Sequence, residues 1–317
     1  MPVYSTVLVT GGAGFIGSHL VDRLLEEDVE VVVLDNLYNG RLENIQRHLG
    51  GGSIRLVKGD VRDVALVKDL LRDTDAVLHQ AALVSVPKSV KDPILTNDVN
   101  VNGTLNLLLT SADCDVKRFV YASSSAVYGD AKTLPISEEC PAKPISPYGV
   151  SKMAAENYVR LFGEVYGLKT VCLRYFNVYG ERQLYSEYSG VITRFIKAIR
   201  ENLPVIIFGS GRQTRDFVNV HDVVEANLLA LTKHAAIGET YNIATGKPIT
   251  VNHLAQAISD KIGKPLRIEH HKRREGEILH SVADISKARR QLGYIPKITL
   301  KKGLEETVAH QTDSGAL

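Results

Sequence analysis

Tyr148 and Lys152 stand four residues apart directly behind Pro147. Proline suits the first position of a helix, and side chains at i and i+4 share a helix face. On such a helix the tyrosine has a cation for a neighbour, which favours phenolate and lowers the phenol pKa from its ordinary value of about 10. That makes Tyr148 a usable general base toward a hydroxyl near neutral pH. The spacing alone decides nothing: among 13 tyrosines, about one such Y-x-x-x-K arises by chance, and a surface Tyr beside a solvated Lys looks the same. A second set of hydroxyls, Ser123, Ser124 and Ser125, ends the apolar run Arg118–Ala122. At the carboxyl end of a parallel strand they would point into the crevice where open α/β sheets bind ligands. Serine runs also punctuate ordinary loops.

A place for a cofactor is written near the start of the chain. The apolar run Val7–Thr10 leads into Gly11-Gly12-Ala13-Gly14-Phe15-Ile16-Gly17, and an amphipathic stretch follows through Leu25. Glycines let a turn and a helix N-terminus approach a pyrophosphate, whose charge backbone N–H groups and the helix dipole stabilise. A second apolar run, Val29 to Leu34, ends in Asp35, 18 residues past Gly17. A carboxylate there accepts hydrogen bonds from an adenosine ribose and repels a 2′-phosphate. The expected cofactor is NAD rather than NADP, and a bound oxidised nicotinamide would add positive charge beside Tyr148.

Elements must bring these two regions together. In the first half, apolar runs alternate with helical patterns, the signature of a parallel sheet covered on both faces. Candidate strands are Val7–Thr10, Val29–Asp35, Ile54–Lys58, Ala76–Gln80, Arg118–Ala122 and Thr170–Tyr175. Helical stretches lie at Gly14–Glu27, Val64–Arg72, Val99–Ser111 and Tyr148–Val165. After about Asn177 the elements shorten and loops intervene, although a helix at Asp222–Lys233 and a strand at Tyr241–Ile243 suit a return to the sheet. The expected fold is α/β, a Rossmann-type doubly wound parallel sheet with a smaller α/β substrate-binding lobe. Its boundaries are residues 1–176 for the NAD-binding domain, with returning segments near 220–244, and 177–317 mainly for the second lobe. Residues Gln311–Leu317 read as a frayed tail.

Composition narrows the class. The chain has 317 residues, 44% of them hydrophobic and 23% charged, with a net charge of +2. That balance gives no reason to expect a nucleic acid or a membrane surface as partner. No apolar stretch reaches the length of a membrane span and no signal peptide is evident, so a cytoplasmic protein is expected. Cys114, Cys140 and Cys172 are odd in number and lack metal-ligand spacing, which speaks against a disulfide framework or a structural metal.

Taken together, these motifs resemble the extended short-chain dehydrogenase/reductase superfamily, and within it the nucleotide-sugar 4-epimerases. The resemblance covers nearly the whole chain. It rests on Thr10–Ser18, Asp35-Asn36-Leu37, Gly59-Asp60-Val61, His79-Gln80-Ala81-Ala82, Asn100–Thr104, the serine run, Tyr148/Lys152 and Arg174-Tyr175-Phe176-Asn177. It implies that Gly11, Gly14, Phe15, Ile16, Gly17, Asp35 and Asn36 bind the cofactor. Asp60 and Val61 would hold its adenine, Gln80, Ala81 and Ala82 would line its groove, and Asn100 would lie near the nicotinamide. Ser124 would be the catalytic hydroxyl, Tyr148 the acid/base, and Lys152 its partner and a ribose ligand.

For the substrate, a UDP-sugar, the resemblance implies Val84, Ser85, Ser124, Ser125, Tyr148, Asn177, Val191 and Ile207, with Arg215 and Arg274 on the phosphates and Glu277 on the ribose. Bidentate arginine suits phosphate geometry. Ser281 matches a position where some UDP-galactose 4-epimerases carry a bulky Tyr beside the sugar C2 substituent, so Ser281 leaves room for an N-acetyl group. An opened pocket still accepts the smaller sugar, since lost contacts cost only about 1–3 kcal/mol. The expected activity is therefore 4-epimerisation of UDP-GlcNAc/UDP-GalNAc and UDP-Glc/UDP-Gal through a transient 4-keto sugar. Related 4,6-dehydratases and decarboxylases carry acidic residues where this chain has Ser125 and Ala126, and those two cannot move a C5 proton. A UDP-glucuronate 4-epimerase and a non-catalytic NAD-binding scaffold are the alternatives. Family members commonly dimerise through a four-helix bundle, here the helices Val99–Ser111 and Tyr148–Val165, with Leu105, Leu108, Leu109 and Tyr158 as candidate contacts.

Overall fold

The computed structural model describes residues 4–183, 190–273 and 278–313. The first six strands are β1 (Thr6–Thr10), β2 (Glu30–Asp35), β3 (Ile54–Lys58), β4 (Ala76–His79), β5 (Arg118–Ser124) and β6 (Thr170–Tyr175). There follow β7 (Asn177–Tyr179), β8 (Val205–Phe208), β9 (Thr214–Asn219), β10 (Thr240–Ile243), β11 (Pro248–Thr250) and β12 (Ile268–His271). Helices α1 (Phe15–Glu26), α2 (Val64–Leu71), α3 (Val86–Lys91), α4 (Pro93–Asn97), α5 (Gly103–Asp113) and α6 (Pro147–Tyr166) belong to the first half. The rest are α7 (Val191–Arg200), α8 (Val220–Thr232), α9 (Val251–Ile262), α10 (Ser286–Leu292) and α11 (Leu300–Asp313).

Seven strands pair in the order β10-β6-β5-β4-β1-β2-β3, all parallel. The chain winds outward from β1 in one direction through β3, then crosses back to β4. The carboxyl ends of β1 and β4 therefore flank the switch point where open sheets of this kind bind ligands. Alternation along β1 feeds two cores. Val7 and Val9 pack on one face with Leu20, Leu24 and Val223, from α1 and α8. Leu8 packs on the other face with Val67, Leu107 and Val159, from α2, α5 and α6. A third core, with Phe195, Ile207 and Leu254, fills the second lobe around α7, β8 and α9. That lobe carries a three-stranded sheet β11-β9-β7 and the parallel pair β12-β8.

The six strands expected in the first half are present within two residues at each end. The longest departure is at β5, which continues through Ser123 and Ser124 because both stay in register with Arg174 and Tyr175 of β6. The helix expected over Val99–Ser111 is instead a wide π-type turn at Asp98–Asn102, which follows directly on α4, and then α5. The tail expected from Gln311 is still helical to Asp313, because Leu304, Thr307 and Gln311 are buried along one side of α11. Leu108 is 0% exposed inside the core and so cannot meet a partner, whereas Leu109 is 49% and Tyr158 38% exposed. No helix among the described residues is long and apolar enough to cross a membrane.

Candidate active site

The glycine turn sits at the switch point. Gly11 has φ +69°, and a Cβ there would lie 2.9 Å from the backbone nitrogen of Ala81 on the neighbouring connection. Gly14 precedes α1 with no side-chain cap and no acidic residue in the first turn. The leading N–H groups of α1 thus keep the open, electropositive end that suits a phosphate. Asp35 ties this turn to the end of β2: one carboxylate oxygen accepts from Ala13 N–H at 3.0 Å and the other from Leu37 N–H at 2.8 Å. A carboxylate offers about four lone-pair sites, so acceptor capacity remains for ribose hydroxyls. The open cradle and the ribose acceptor together fit NAD.

Behind the cradle lie His79 and Gln80. Gln80 donates to the hydroxyl of Tyr175 and to Asn227, and Ala81 N–H donates to Thr10 Oγ1. Asn100, placed by the π-type turn, holds Leu83 by both backbone groups and donates to Ser151 Oγ. Asp60 is heavily engaged by neighbouring residues, accepting from Arg62 three times and from Asn36 once. Arg62 beside it holds its carboxyl down at about 2. Val61 is buried beside Gly103.

His79 is a buried titrating group with a testable signature. Its ring nitrogens are shared between Thr10 Oγ1 at 2.7 Å and Thr104 Oγ1 at 2.9 Å. Burial, with the charge of Lys152 adding, pushes it down to about 3. Below about pH 6.5 an unfolded histidine binds a proton that the folded one refuses. The stability from His79 is therefore whole above that pH and is lost as pH falls toward 3, at up to about 1.4 kcal/mol per unit. The urea midpoint should drop between pH 6.5 and 4.5, less steeply in His79→Gln; identical slopes would discharge His79 as a cause.

The catalytic candidates converge two strands from β1, at the carboxyl end of β5 on the same edge of the sheet. Ser146 caps α6 by accepting from Gly149 N–H at 3.1 Å, with Pro147 in the first turn, so Tyr148 enters the helix at its start. Ser89 Oγ accepts from Tyr148 N–H at 3.0 Å. The Ser124 hydroxyl lies close enough to Tyr148 to draw its pKa down. Ala126 N–H donates to Ser124 Oγ at 3.2 Å, which holds that hydroxyl in place. One turn on, Lys152 donates to the carbonyl of Ala122 at 2.7 Å and lies over the ring of Tyr121.

Electrostatics here depart from the expectation drawn from spacing. Burial raises the Tyr148 pKa, and only the nearby Ser124 hydroxyl opposes it. Burial pushes Lys152 itself down to about 7. Desolvation thus outweighs the attraction of the pair.

The second lobe faces this wall. Asn177 Nδ2 donates to the backbone oxygen of Asp216 at 2.9 Å. The Asp216 carboxylate, 0% exposed, accepts from Thr245 twice and from Gly246 and Ala283 once each. That one acid joins β9 to the segment carrying Ser281, whose N–H donates to Thr214 O. Arg215 donates to the carbonyls of Thr214, Ile278 and Leu279, so part of its guanidinium binds the lobe itself. Ser281 is buried, and Ile207 packs its side chain into the lobe's core. Val191 opens α7, Val84 is exposed, and Ser85 caps α3 by accepting from Lys88 N–H. Ser125 lies half-buried after Ser124. Arg274 and Glu277 lie outside the described residues. Sequence reasoning missed Ser89 and Asp216, whose partners are 59 and about 30 to 67 residues away.

Comparison with known proteins agrees with this geometry. The sequence family described as GDP-mannose 4,6 dehydratase matches residues 8–307. A putative UDP-glucose 4-epimerase of Methanocaldococcus jannaschii is 44% identical over 304 residues, 95% of this chain and 97% of that protein. The structure of a UDP-N-acetylglucosamine 4-epimerase from Methanobrevibacter ruminantium, in complex with UDP-N-acetylmuramic acid, is 38% identical with a TM-score of 0.93, covering 98% of each chain. A Thermus thermophilus UDP-glucose 4-epimerase in complex with NAD is 39% identical with a TM-score of 0.89, covering 98% of this chain and 99% of that one. Cradle, hydroxyl pair and lysine thus sit in a chain that belongs to the GDP-mannose 4,6 dehydratase family, within the extended short-chain dehydrogenase/reductase superfamily.

Proposed function

We propose that this protein is an NAD-dependent UDP-sugar 4-epimerase acting on both N-acetylated and plain UDP-hexoses. The observation that carries the reading is Ser124, Tyr148 and Lys152 gathered at the carboxyl end of β5, on the same sheet edge as the glycine turn after β1, while Ser125 and Ala126 occupy the positions at which a dehydratase needs acids. NAD held by the Gly11–Gly17 turn and Asp35 would supply the acceptor, and then the donor, of the hydride at the sugar C4. Tyr148 removes the proton of the sugar C4 hydroxyl, and Ser124 hydrogen-bonds the oxygen as it becomes a carbonyl. The UDP moiety stays held by the second lobe while the 4-keto sugar presents its other face, and Tyr148 returns the proton. Net redox is zero, so turnover needs no second substrate.

Pure protein incubated with UDP-GlcNAc, UDP-galactose and UDP-glucuronate, without added NAD, should convert the first two. Conversion of UDP-glucuronate alone would move the assignment to the uronate epimerase, and no conversion would leave only an NAD-binding scaffold. Ser281 bears on the sugar's C2 group, because a small side chain there leaves space for an N-acetyl substituent. Ser281→Tyr should cost UDP-GlcNAc at least tenfold more kcat/KM than UDP-galactose; equal losses would contradict a C2 pocket at Ser281. A homodimer is part of the proposal, built on the exposed Leu109 of α5 and Tyr158, Leu161 and Val165 of α6. None of the three cysteines is paired, which suits a cytoplasmic setting.

A further inference from the structure

Four residues past Lys152, on the same stripe of α6, stands Glu156, 3% exposed and held in the interior by Arg174 of β6. Arg174 grips it with two nitrogens: Nη2 donates at 2.5 Å to one carboxylate oxygen, and Nε reaches both oxygens at 3.1 and 3.2 Å. The second carboxylate oxygen also accepts from the hydroxyl of Ser123 at 2.5 Å. Arg174 is fixed in turn, since Nη1 donates to the hydroxyl of Tyr128, which donates to Asn242 of β10.

Tyr148, Lys152 and Glu156 thus form one row, a turn apart, along the side of α6 that lies over β5. Their partners are three consecutive residues at the end of that strand: Lys152 is bonded to the carbonyl of Ala122 and Glu156 to Ser123, and Tyr148 approaches the hydroxyl of Ser124. The apolar contacts beneath, Ala155 and Val159 against Phe119 and Tyr121, tolerate small slides because they lack direction. A carboxylate bound on one side by a planar guanidinium and on the other by a strand hydroxyl does not. A buried ion pair is seldom more stabilising than an apolar replacement, so its value here lies in fixing geometry rather than in holding the fold.

We propose that Glu156, oriented by Arg174 and acting through Ser123, is a positioning residue that sets the register of α6 on β5 and thereby the approach of Tyr148 and Lys152 to Ser124. The proposal rests on the epimerase reading of the site. It touches neither the sugar nor the nicotinamide, so its loss should appear in kcat and leave binding alone. Displacing a reacting group by about 1 Å costs roughly a hundredfold, and loosening one of three anchors should cost about tenfold.

Ser123→Ala removes only the link to the strand and leaves the Glu156–Arg174 pair, so this variant should fold. Its kcat should fall about tenfold with KM and the NAD content of the purified protein unchanged, and Ser123→Thr should restore kcat to within about threefold. Glu156→Gln should lower kcat at least as far as Ser123→Ala. An active wild type with Ser123→Ala within twofold of it, or with KM and thermal midpoint falling off while kcat holds, would overturn the positioning role alone. A wild type that turns over no UDP-hexose would overturn the epimerase reading and this role with it.

Discussion

Tyr148→Phe should abolish epimerisation, with kcat at least a thousandfold below wild type, while the purified protein still carries NAD. The hydroxyl is the only atom removed. The group that acts on it is the nearby Ser124 hydroxyl, so little of the fold depends on it; even a full hydrogen bond contributes only about 1 kcal/mol. The helix start is unaffected, since the Ser146 cap and the Ser89 contact both engage backbone N–H groups. What is lost is the base for the C4 hydroxyl. Ser124 cannot replace it, because a serine hydroxyl is far too weak an acid to give up its proton near neutrality without a base. General-base removal costs about 10²–10⁴-fold, and here the same group must also return the proton, which places the loss at the upper end. A thousandfold loss corresponds to about 4 kcal/mol of barrier, and the upper end to about 5.4 kcal/mol. The assay is chromatographic conversion of UDP-galactose and UDP-GlcNAc beside the absorbance of NAD released on denaturation. Turnover within tenfold of wild type would remove Tyr148 from the acid/base role and shift it to Ser124 and Lys152.

How Tyr148 works at neutral pH is a separate matter that spacing could not reveal. An i, i+4 pair predicts proximity, and proximity predicts mutual stabilisation of phenolate and ammonium. Proximity is present, yet burial pushes both groups toward their neutral forms. The sequence carries no measure of how dry a cleft will be, so the sign of the balance emerged only from the packing of Tyr121, Ala122 and Lys152.

The same distinction separates what was legible from what was not. Strands β1, β2, β4 and β6 were readable because a strand buried on both faces is a short continuous apolar run. The serine end of β5 was not, because its pairing with Arg174 and Tyr175 is a backbone fact that polar side chains hide. The break in the expected helix at Asp98–Asn102 was equally hidden: a π-type turn adds a residue to the period, and only the double grip of Asn100 on Leu83 explains it. Helices α3 and α4 lie on the surface, with Val86, Val90 and Ile94 exposed, so they lack the apolar stripe by which helices are recognised. Tyr148 and Lys152 were found because their chemistry demands a local spacing. Glu156 and Asp216 act through partners remote in sequence, which no local spacing marks, and the motif that contains Arg174 does not show that it grips Glu156.

Gly17→Ala should cost the protein its cofactor, and with it all activity. Gly17 sits in the first turn of α1 where that helix packs on the glycine turn. A Cβ there would lie 2.1 Å from the carbonyl oxygen of Gly11 and 2.8 Å from Gly12 Cα. Both obstacles are backbone, so no side chain can rotate out of the way. The gain in helix propensity, about 1 kcal/mol for Ala over Gly, is outweighed by overpacking, which costs about 1–3 kcal/mol or more. Relief requires α1 to move off the turn by about an ångström, and the N–H groups that would meet a pyrophosphate move with it. Gly14→Ala is the internal control: its Cβ would meet only the Gly11 carbonyl, at 3.0 Å, and a shift of a few tenths of an ångström suffices. Purified Gly17→Ala should therefore contain less than a tenth of the wild-type NAD and show a lowered thermal midpoint, with Gly14→Ala between it and wild type. If Gly17→Ala retains NAD and turns over within twofold of wild type, the close packing of α1 on the glycine turn is not what shapes the cradle.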